Sequence, residues 1–407
     1  MKVGSDFSGV GAFDQALKRL GVNYETVFAC DMDKYARDTF IHNYGEPKYY
    51  PTNVYDREIP SESLDIYMTS PPCQAFSLAG KRLGKDDKRG VLFFNSHEFI
   101  QVNKPRFFIF ENVKGLLSDD GGKTFQEWIN MLGGKSVNGL PVLFPVDEAV
   151  PYHLYWKVLN AKHHGVPQNR DRVFLIGIRD DSDNSFQYPK EEHLSKRLKD
   201  VLEDNVDDKY LLSEKMLELI TFQEKTNGEI ANLNKGGERG SVYDADIKAM
   251  SCLSATDYKQ PKQILINSAT SKGYEEAREG DSINFSVPSS ETRRGRVGKG
   301  VAQTLDTGCQ QGIWIADYRY DDGLRIRKDD ISPCMYSTMG SETSISQMSP
   351  IIGYDYKIRR LTPRECFRLM DFPDTFTWKV SDSQAYKQAG NSIVVNVLYK
   401  ILKQLPL

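Results

Sequence analysis

The sequence predicts an α/β protein in which a doubly wound, mostly parallel sheet carries an inserted, irregular domain. Three observations predict it. From Lys2 to about Arg179, short apolar runs rich in β-branched and aromatic residues alternate with amphipathic stretches. From about residue 186 to 355 that rhythm lapses into polar sequence dotted with glycine, as in GGERG, RRGRVGKG and DTGCQQG. It then returns, and Ile393, Val394, Val397, Leu398, Ile401 and Leu402 form one apolar helix stripe. A lone helix with such a stripe has to bury it, and the N-terminal sheet is the available partner. The expected division is therefore 1–185, an insertion over 186–355, and a return over 356–407.

KVGSDF, ETVFAC, LDIYMTS, RFFIFE and RVFLIGIR read as strands. Between the first two, Ala12, Phe13, Ala16, Leu17 and Leu20 recur at helical spacing, and Gly21 stands where a C-cap belongs. Near the C-terminus, Thr362 and Glu365 have capping-box spacing around Pro363, which suits a first helical turn. The 407 residues allow roughly two or three domains at about 150 residues each. Basic residues number 53 and acidic residues 56, so the net charge of −3 gives no global attraction to a polyanion. Any phosphate-binding surface must be local. No run approaches the roughly 18 apolar residues of a spanning helix, and MKVGSDFSGVG has no signal-peptide core. Cys30, Cys73, Cys252, Cys309, Cys334 and Cys366 are scattered without a CxxC pair, which argues against a zinc site and a disulfide framework. A cytoplasmic protein without a metal is expected.

Several residues stand where strands end. Phe7-Ser8-Gly9-Val10-Gly11 leads from the first strand into a helix, and Asp31 ends the second strand about 20 residues on. That spacing suits a nucleoside cofactor, although Gly-x-Gly turns also serve plain helix–strand packing. Asp14 replaces the third glycine of the dinucleotide fingerprint, which counts against a nicotinamide cofactor. Cys73 follows a strand in the stiff loop Ser70-Pro71-Pro72-Cys73-Gln74; it is either an inert small hydrophobe or an activated nucleophile. Glu111 ends RFFIFE, as a helix cap or as a partly buried acid able to hold a proton. Arg170 and Arg172 alternate before a strand, suited to a phosphate or carbonyl or to an internal ion pair. His163 and His164 lack a ligand cluster and read as structural.

The runs FSGVG, DMDKYA, SPPCQAFSLAGK, ENVKGLL, QNRDRVFLIG, LTPRECFRLMDFPD and YKQAGNSIVVNVL, in this order, resemble the DNA (cytosine-5)-methyltransferase family. They span nearly the whole chain outside the middle segment. The resemblance implies the class I S-adenosylmethionine-dependent methyltransferase fold, with 1–185 as catalytic and cofactor-binding domain, 186–355 as target-recognition domain and 356–407 as hinge and return. It implies a cofactor pocket for S-adenosyl-L-methionine from Phe7, Gly9, Val10, Gly11, Asp31, Met32, Asn53, Val54, Pro72, Leu92, Asn391 and Ser392. Two positions depart from the family: Asn53 stands where an acid is usual, and Met32 where an aromatic is frequent. An amide oxygen still accepts a hydrogen bond, and a thioether still packs on adenine.

By the same resemblance, the catalytic set is Cys73, Glu111, Arg170 and Arg172. The Cys73 thiolate adds to cytosine carbon 6, Glu111 bonds nitrogen 3, and Arg172, aided by Arg170, stabilises the base carbonyl. The cytosine has to be flipped out of a duplex, and residues 75–90 are the expected lid. Expected DNA contacts are Gln74, Ser77, Lys81, Arg82 and Arg89, with Arg293, Arg294, Arg296 and Lys299 from the middle segment; the competing reading of that basic run is a solvated face. Double-stranded DNA is the expected partner of a monomeric, bacterial or phage-type modification enzyme, alongside a possible cognate restriction enzyme. Rivals are the tRNA-methylating branch, which largely lacks the middle domain, a silent DNA binder and a nicotinamide oxidoreductase.

Overall fold

A computed structural model describes residues 1–72, 91–213, 215–216, 223–226, 229–232, 263–278, 280–290, 292–315, 318–319, 323–324 and 357–407. Cys73, Gln74, Ser77, Lys81, Arg82 and Arg89 lie outside the described residues. The chain divides into two compact units. The first comprises 1–205, 300–310 and 361–407; the second comprises 206–299 and 311–360. Residues 186–205, expected in the insertion, thus belong to the first unit, and 300–310 return to it.

In the first unit, β1 (Lys2–Asp6), α1 (Ala12–Leu20), β2 (Glu25–Cys30), α2 (Lys34–Tyr44), β3 (Ile66–Thr69), α3 (Val91–Asn103), β4 (Phe107–Val113) and α4 (Lys123–Leu132) alternate in chain order. There follow β5 (Ser136–Val137), β6 (Leu140–Pro141), β7 (Tyr152–Asn160), β8 (Gln168–Asn169) and β9 (Asp171–Arg179), then α5 (Pro363–Leu369), α6 (Asp382–Asn391) and α7 (Val395–Leu402). One sheet has the order β2-β1-β3-β4-β9-β7-β5-β6. β2, β1, β3 and β4 are parallel. β9 runs antiparallel to both β4 and β7, and β5 is parallel to β7. The parallel half obeys the rule for strands joined by helices. All four positions of β3, and Phe107 to Asn112 of β4, are buried, as a sheet covered on both faces requires.

Local signals hold where they were read. Gly21 caps α1 in the left-handed region, its N–H reaching the Leu17 and Lys18 carbonyls. Thr362 and Glu365 close a complete capping box around Pro363, a device typically worth about 1 kcal/mol. Of the C-terminal stripe, Val397, Leu398, Ile401 and Leu402 are buried on α7, whose principal partner is α1 rather than the sheet itself. On the core side, Phe93 stacks on Trp128 with centroids 4.3 Å apart, beside Phe110, Phe99 and Tyr67. The second unit has a small core of Ile266, Ala277, Ile283, Phe285 and Ile358. In it, strand Ser282–Asn284 pairs antiparallel with Gln311–Ile315, which pairs with Lys357–Arg360.

Candidate active site

The carboxyl ends of β1 and β2 meet in a tight turn. Phe7, Gly9 and Gly11 adopt φ of 55°, 54° and 83°. A Cβ on Gly11 would stand 2.3 Å from the Tyr44 ring, so only glycine lets α1 and α2 approach this closely. The Asp31 carboxylate closes the turn: one oxygen accepts the Gly9 N–H at 2.8 Å and the other the Asp33 N–H at 2.8 Å. Burial pushes the Asp31 pKa up, opposed by those two N–H bonds. Arg37 of α2 donates to the carbonyls of Tyr50 and Pro51, at 2.8 and 2.9 Å, and so moors the next loop beside β2.

That loop carries Asn53 and Val54. Asn53 is engaged locally, its oxygen accepting the Tyr55 N–H at 3.1 Å and its amide donating to Asp56 at 2.8 Å. Val54 and Val10 are buried, so neither side chain is open to a ligand. Leu92, at the start of α3, packs partly buried against the same core. Met32 is 86% exposed beside the half-buried Asp31, a thioether open to solvent. Pro72 and Asn391 are exposed and Ser392 is buried.

The second cluster stands at the end of β4. Glu111 pairs with Phe174 across the antiparallel β4–β9 ladder and Val113 with Arg172, so Glu111 and Arg172 are diagonal neighbours. Arg172 Nε lies 3.0 Å from Glu111 Oε1. Its Nη1 donates to the Asp171 carbonyl at 2.8 Å. Glu111 is buried, and desolvation pushes its pKa up against the pull of Arg172 and Arg170. The result is a carboxyl whose proton affinity is tuned by burial, with a guanidinium beside it. Asn112, next in line, donates its amide to the Pro71 carbonyl at 3.1 Å and so ties the Pro-Pro loop to β4. Sequence reasoning passed over Asn112, whose only signal is its place between Glu111 and the strand end.

Two expectations need correction. Arg170 does not stand beside Arg172 at the surface. The chain bends between β8 and β9, which interrupts the alternation, and the Arg170 guanidinium is buried. It donates to the carbonyls of Leu305, Gly390 and Ser392 at 3.0, 3.0 and 2.8 Å. Burial lowers its pKa to about 9, still charged at neutral pH. It clamps the loop around Asn391. A Cβ on Gly390 would meet the Asp306 carbonyl oxygen at 2.1 Å, so the clamp also needs that glycine. Arg296, expected to face DNA, is 1% exposed, its guanidinium collecting the carbonyls of Asn284, Ser286, Val287 and Pro288. Lys299 stays exposed while it pairs with Asp281 and donates to the Glu276 carbonyl. Of the basic run, Arg294 is exposed and Arg293 half-buried.

His164 is fully buried and His163 faces Glu191 at 3.3 Å. Among the described residues, no helix is long and apolar enough to cross a membrane.

The fold that carries the glycine turn closed by Asp31 and the buried acid at the end of β4 is shared with solved structures of methyltransferases. DNMT2 from Spodoptera frugiperda superposes with a TM-score of 0.58 at 19% identity, over 99% of this chain and 98% of that one. The chain belongs to the C-5 cytosine-specific DNA methylase family, which matches residues 1–406. It is 32% identical to the orphan methyltransferase M.SPRI of Bacillus phage SPR, over 100% of this chain and 97% of that protein. With the type II methyltransferase M.HhaI of Haemophilus parahaemolyticus it shares 30% identity, over 97% of this chain and 91% of the relative. The protein is an enzyme that methylates cytosine at carbon 5 in DNA.

Proposed function

We propose that the protein binds S-adenosyl-L-methionine on the Asp31 side of the sheet edge and methylates a cytosine flipped out of duplex DNA, using Cys73 as nucleophile. The observation that carries this reading is the buried Glu111 carboxyl 3.0 Å from Arg172, beside the Pro71 carbonyl held by Asn112 two residues before Cys73. The residues present suit the cofactor. Asp31 is a half-buried carboxylate matched to ribose hydroxyls, Met32 offers an exposed thioether, and nothing lies within 4 Å of where a Gly9 Cβ would stand. When bound, the cofactor supplies an electrophilic methyl carbon.

The chain's own groups do the rest. Cytosine carbon 5 is a poor nucleophile until electron density is pushed into the ring. The Cys73 sulfur bonds to carbon 6, and the displaced electron pair is taken up toward nitrogen 3, where Glu111 stands as hydrogen-bonding acid. Arg172 keeps Glu111 oriented and turns its remaining N–H groups to the base carbonyl. Carbon 5, now nucleophilic, takes the methyl group, and loss of its proton then re-forms the 5,6 double bond, expels the thiolate and restores the ring. The second unit acts as the target-recognition domain, with Arg293 and Arg294 contacting DNA. The type II name of M.HhaI supports a modification enzyme; as proposed, it acts as a monomer in a bacterial or phage-infected cytoplasm, with a cognate restriction enzyme as possible partner.

The test is a trapping experiment. Fluorine at carbon 5 cannot leave as a cation, so the enzyme should remain bonded to fluorocytosine-containing duplex DNA in denaturant. Trapping should require S-adenosylmethionine and vanish in Cys73→Ala. Capture of a fluorinated tRNA instead of DNA would overturn the substrate assignment, and tight duplex binding without trapping in either would overturn the nucleophile.

A further inference from the structure

Directly beneath the cofactor turn lies a buried polar network that no step above uses. Asp6, the last residue of β1, is 1% exposed. Its carboxylate accepts from Arg57 Nε at 3.0 and 3.1 Å and from Arg57 Nη2 at 2.7 Å. The Tyr67 hydroxyl of β3 donates to it at 2.5 Å. Arg57 Nη2 also donates to the Asn95 carbonyl of α3 at 2.8 Å, and the guanidinium lies 5.1 Å from the Phe99 ring centroid. The Arg57 and Asp6 side chains are only 2% and 0% exposed.

Buried ion pairs are poor stability devices, because desolvation consumes most of what the charges return, and apolar side chains of similar volume often do as well. What such a fork does provide is direction: a planar guanidinium accepts its partners in a fixed geometry. Here the partners stand one step from the cofactor residues on three segments. Asp6 precedes Phe7, whose φ of 55° persists only if its surroundings over-determine it. Arg57 itself follows Asn53 and Val54 on their loop, and Asn95 lies one turn past Leu92.

We infer that Arg57 is a positioning residue for cofactor binding, holding the Phe7–Gly9 turn, the Asn53–Val54 loop and the start of α3 in one register. The inference rests on the reading that these segments bind S-adenosylmethionine. It assigns Arg57 no contact with the cofactor. Its effect is on the shape of the site that receives it.

The test uses full-length protein and three variants: Arg57→Lys, Arg57→Met and the double variant Asp6→Asn with Arg57→Met. Methyl transfer from labelled S-adenosylmethionine to unmethylated genomic DNA gives KM and kcat, and melting with and without S-adenosylmethionine reports folding and binding separately. Lysine keeps the charge but loses the fork, so KM for the cofactor should rise about tenfold or more while kcat stays within about threefold. The double variant leaves no lone buried charge, so its melting temperature should recover relative to Arg57→Met while its KM stays high. Recovery of both would reduce Arg57 to charge balance and overturn the proposal, as would an Arg57→Lys enzyme with normal KM. Wild-type protein whose melting does not respond to S-adenosylmethionine would overturn the cofactor reading itself.

Discussion

Glu111 shows how one side chain acquires a function from its surroundings. As a residue type it is an ordinary acid; burial at the end of β4 raises its proton affinity, and Arg172 at 3.0 Å fixes its direction. Glu111→Gln keeps the shape but removes the acid, so turnover should fall by about 2 to 4 orders of magnitude with cofactor affinity unchanged. Initial rates together with cofactor binding check this; normal turnover with weakened binding would move Glu111 to the cofactor side. Arg170 makes the opposite point. Two residues from Arg172 in sequence, it is spent on three main-chain carbonyls, because the bend between β8 and β9 turns it inward. Alternation along an extended segment was legible; the bend was not.

At the scale of the element, α1 carries a cost in its first turn. Asp14 stands where a helix N-terminus welcomes an acid, yet it is buried, with one carboxylate oxygen accepting from the Thr26 hydroxyl at 2.6 Å and the other without a partner. Burial lifts its pKa from 3.8 to about 6. Below the unfolded value both states hold the proton and nothing is lost; as pH rises through about 6 the folded state must ionise a buried acid and loses stability. Asp14→Asn should therefore raise stability by on the order of 2–3 kcal/mol above pH 6, with the gain vanishing near pH 4. Denaturant unfolding at the two pH values measures it, and a gain that is equal at both would refer the effect to packing. The strand Tyr152–Asn160 is one of the elements that sequence reasoning missed. Its alternation of Tyr152, Leu154, Trp156 and Val158 was available as a signal, but it follows a run, Val142 to Val150, that reads as loop.

For the whole molecule, charge decides which part of the second unit can meet a polyanion. Arg293, Arg294 and Lys299 are the members of the basic run that keep some exposure, whereas Arg296 staples the 284–288 loop from inside. Replacing Arg293 and Arg294 by glutamine should weaken DNA binding and flatten the dependence of log affinity on log salt by about one to two contacts' worth. Arg296→Gln should instead lower the melting temperature, since it leaves several buried carbonyls unpaired. Salt titrations and thermal melts separate the two, and an unchanged salt slope in the double variant would make this run a solvated face.

By itself the sequence determined what depends on near neighbours along the chain. Periodicity placed β1, α1, β2, β3, β4 and β9, capping chemistry placed the ends of α1 and α5, and glycines marked the turn at Gly9 and Gly11, because each of these is settled within a few residues. Only tertiary structure decided what depends on partners far away in sequence. Arg170 finds carbonyls 135 to 222 residues away, and the Arg57 fork meets Asp6 at a separation of 51. A guanidinium reads alike in sequence whether it will face a base, a phosphate or its own backbone. Which of these it meets is set by where the chain folds back, and only there is its desolvation compensated.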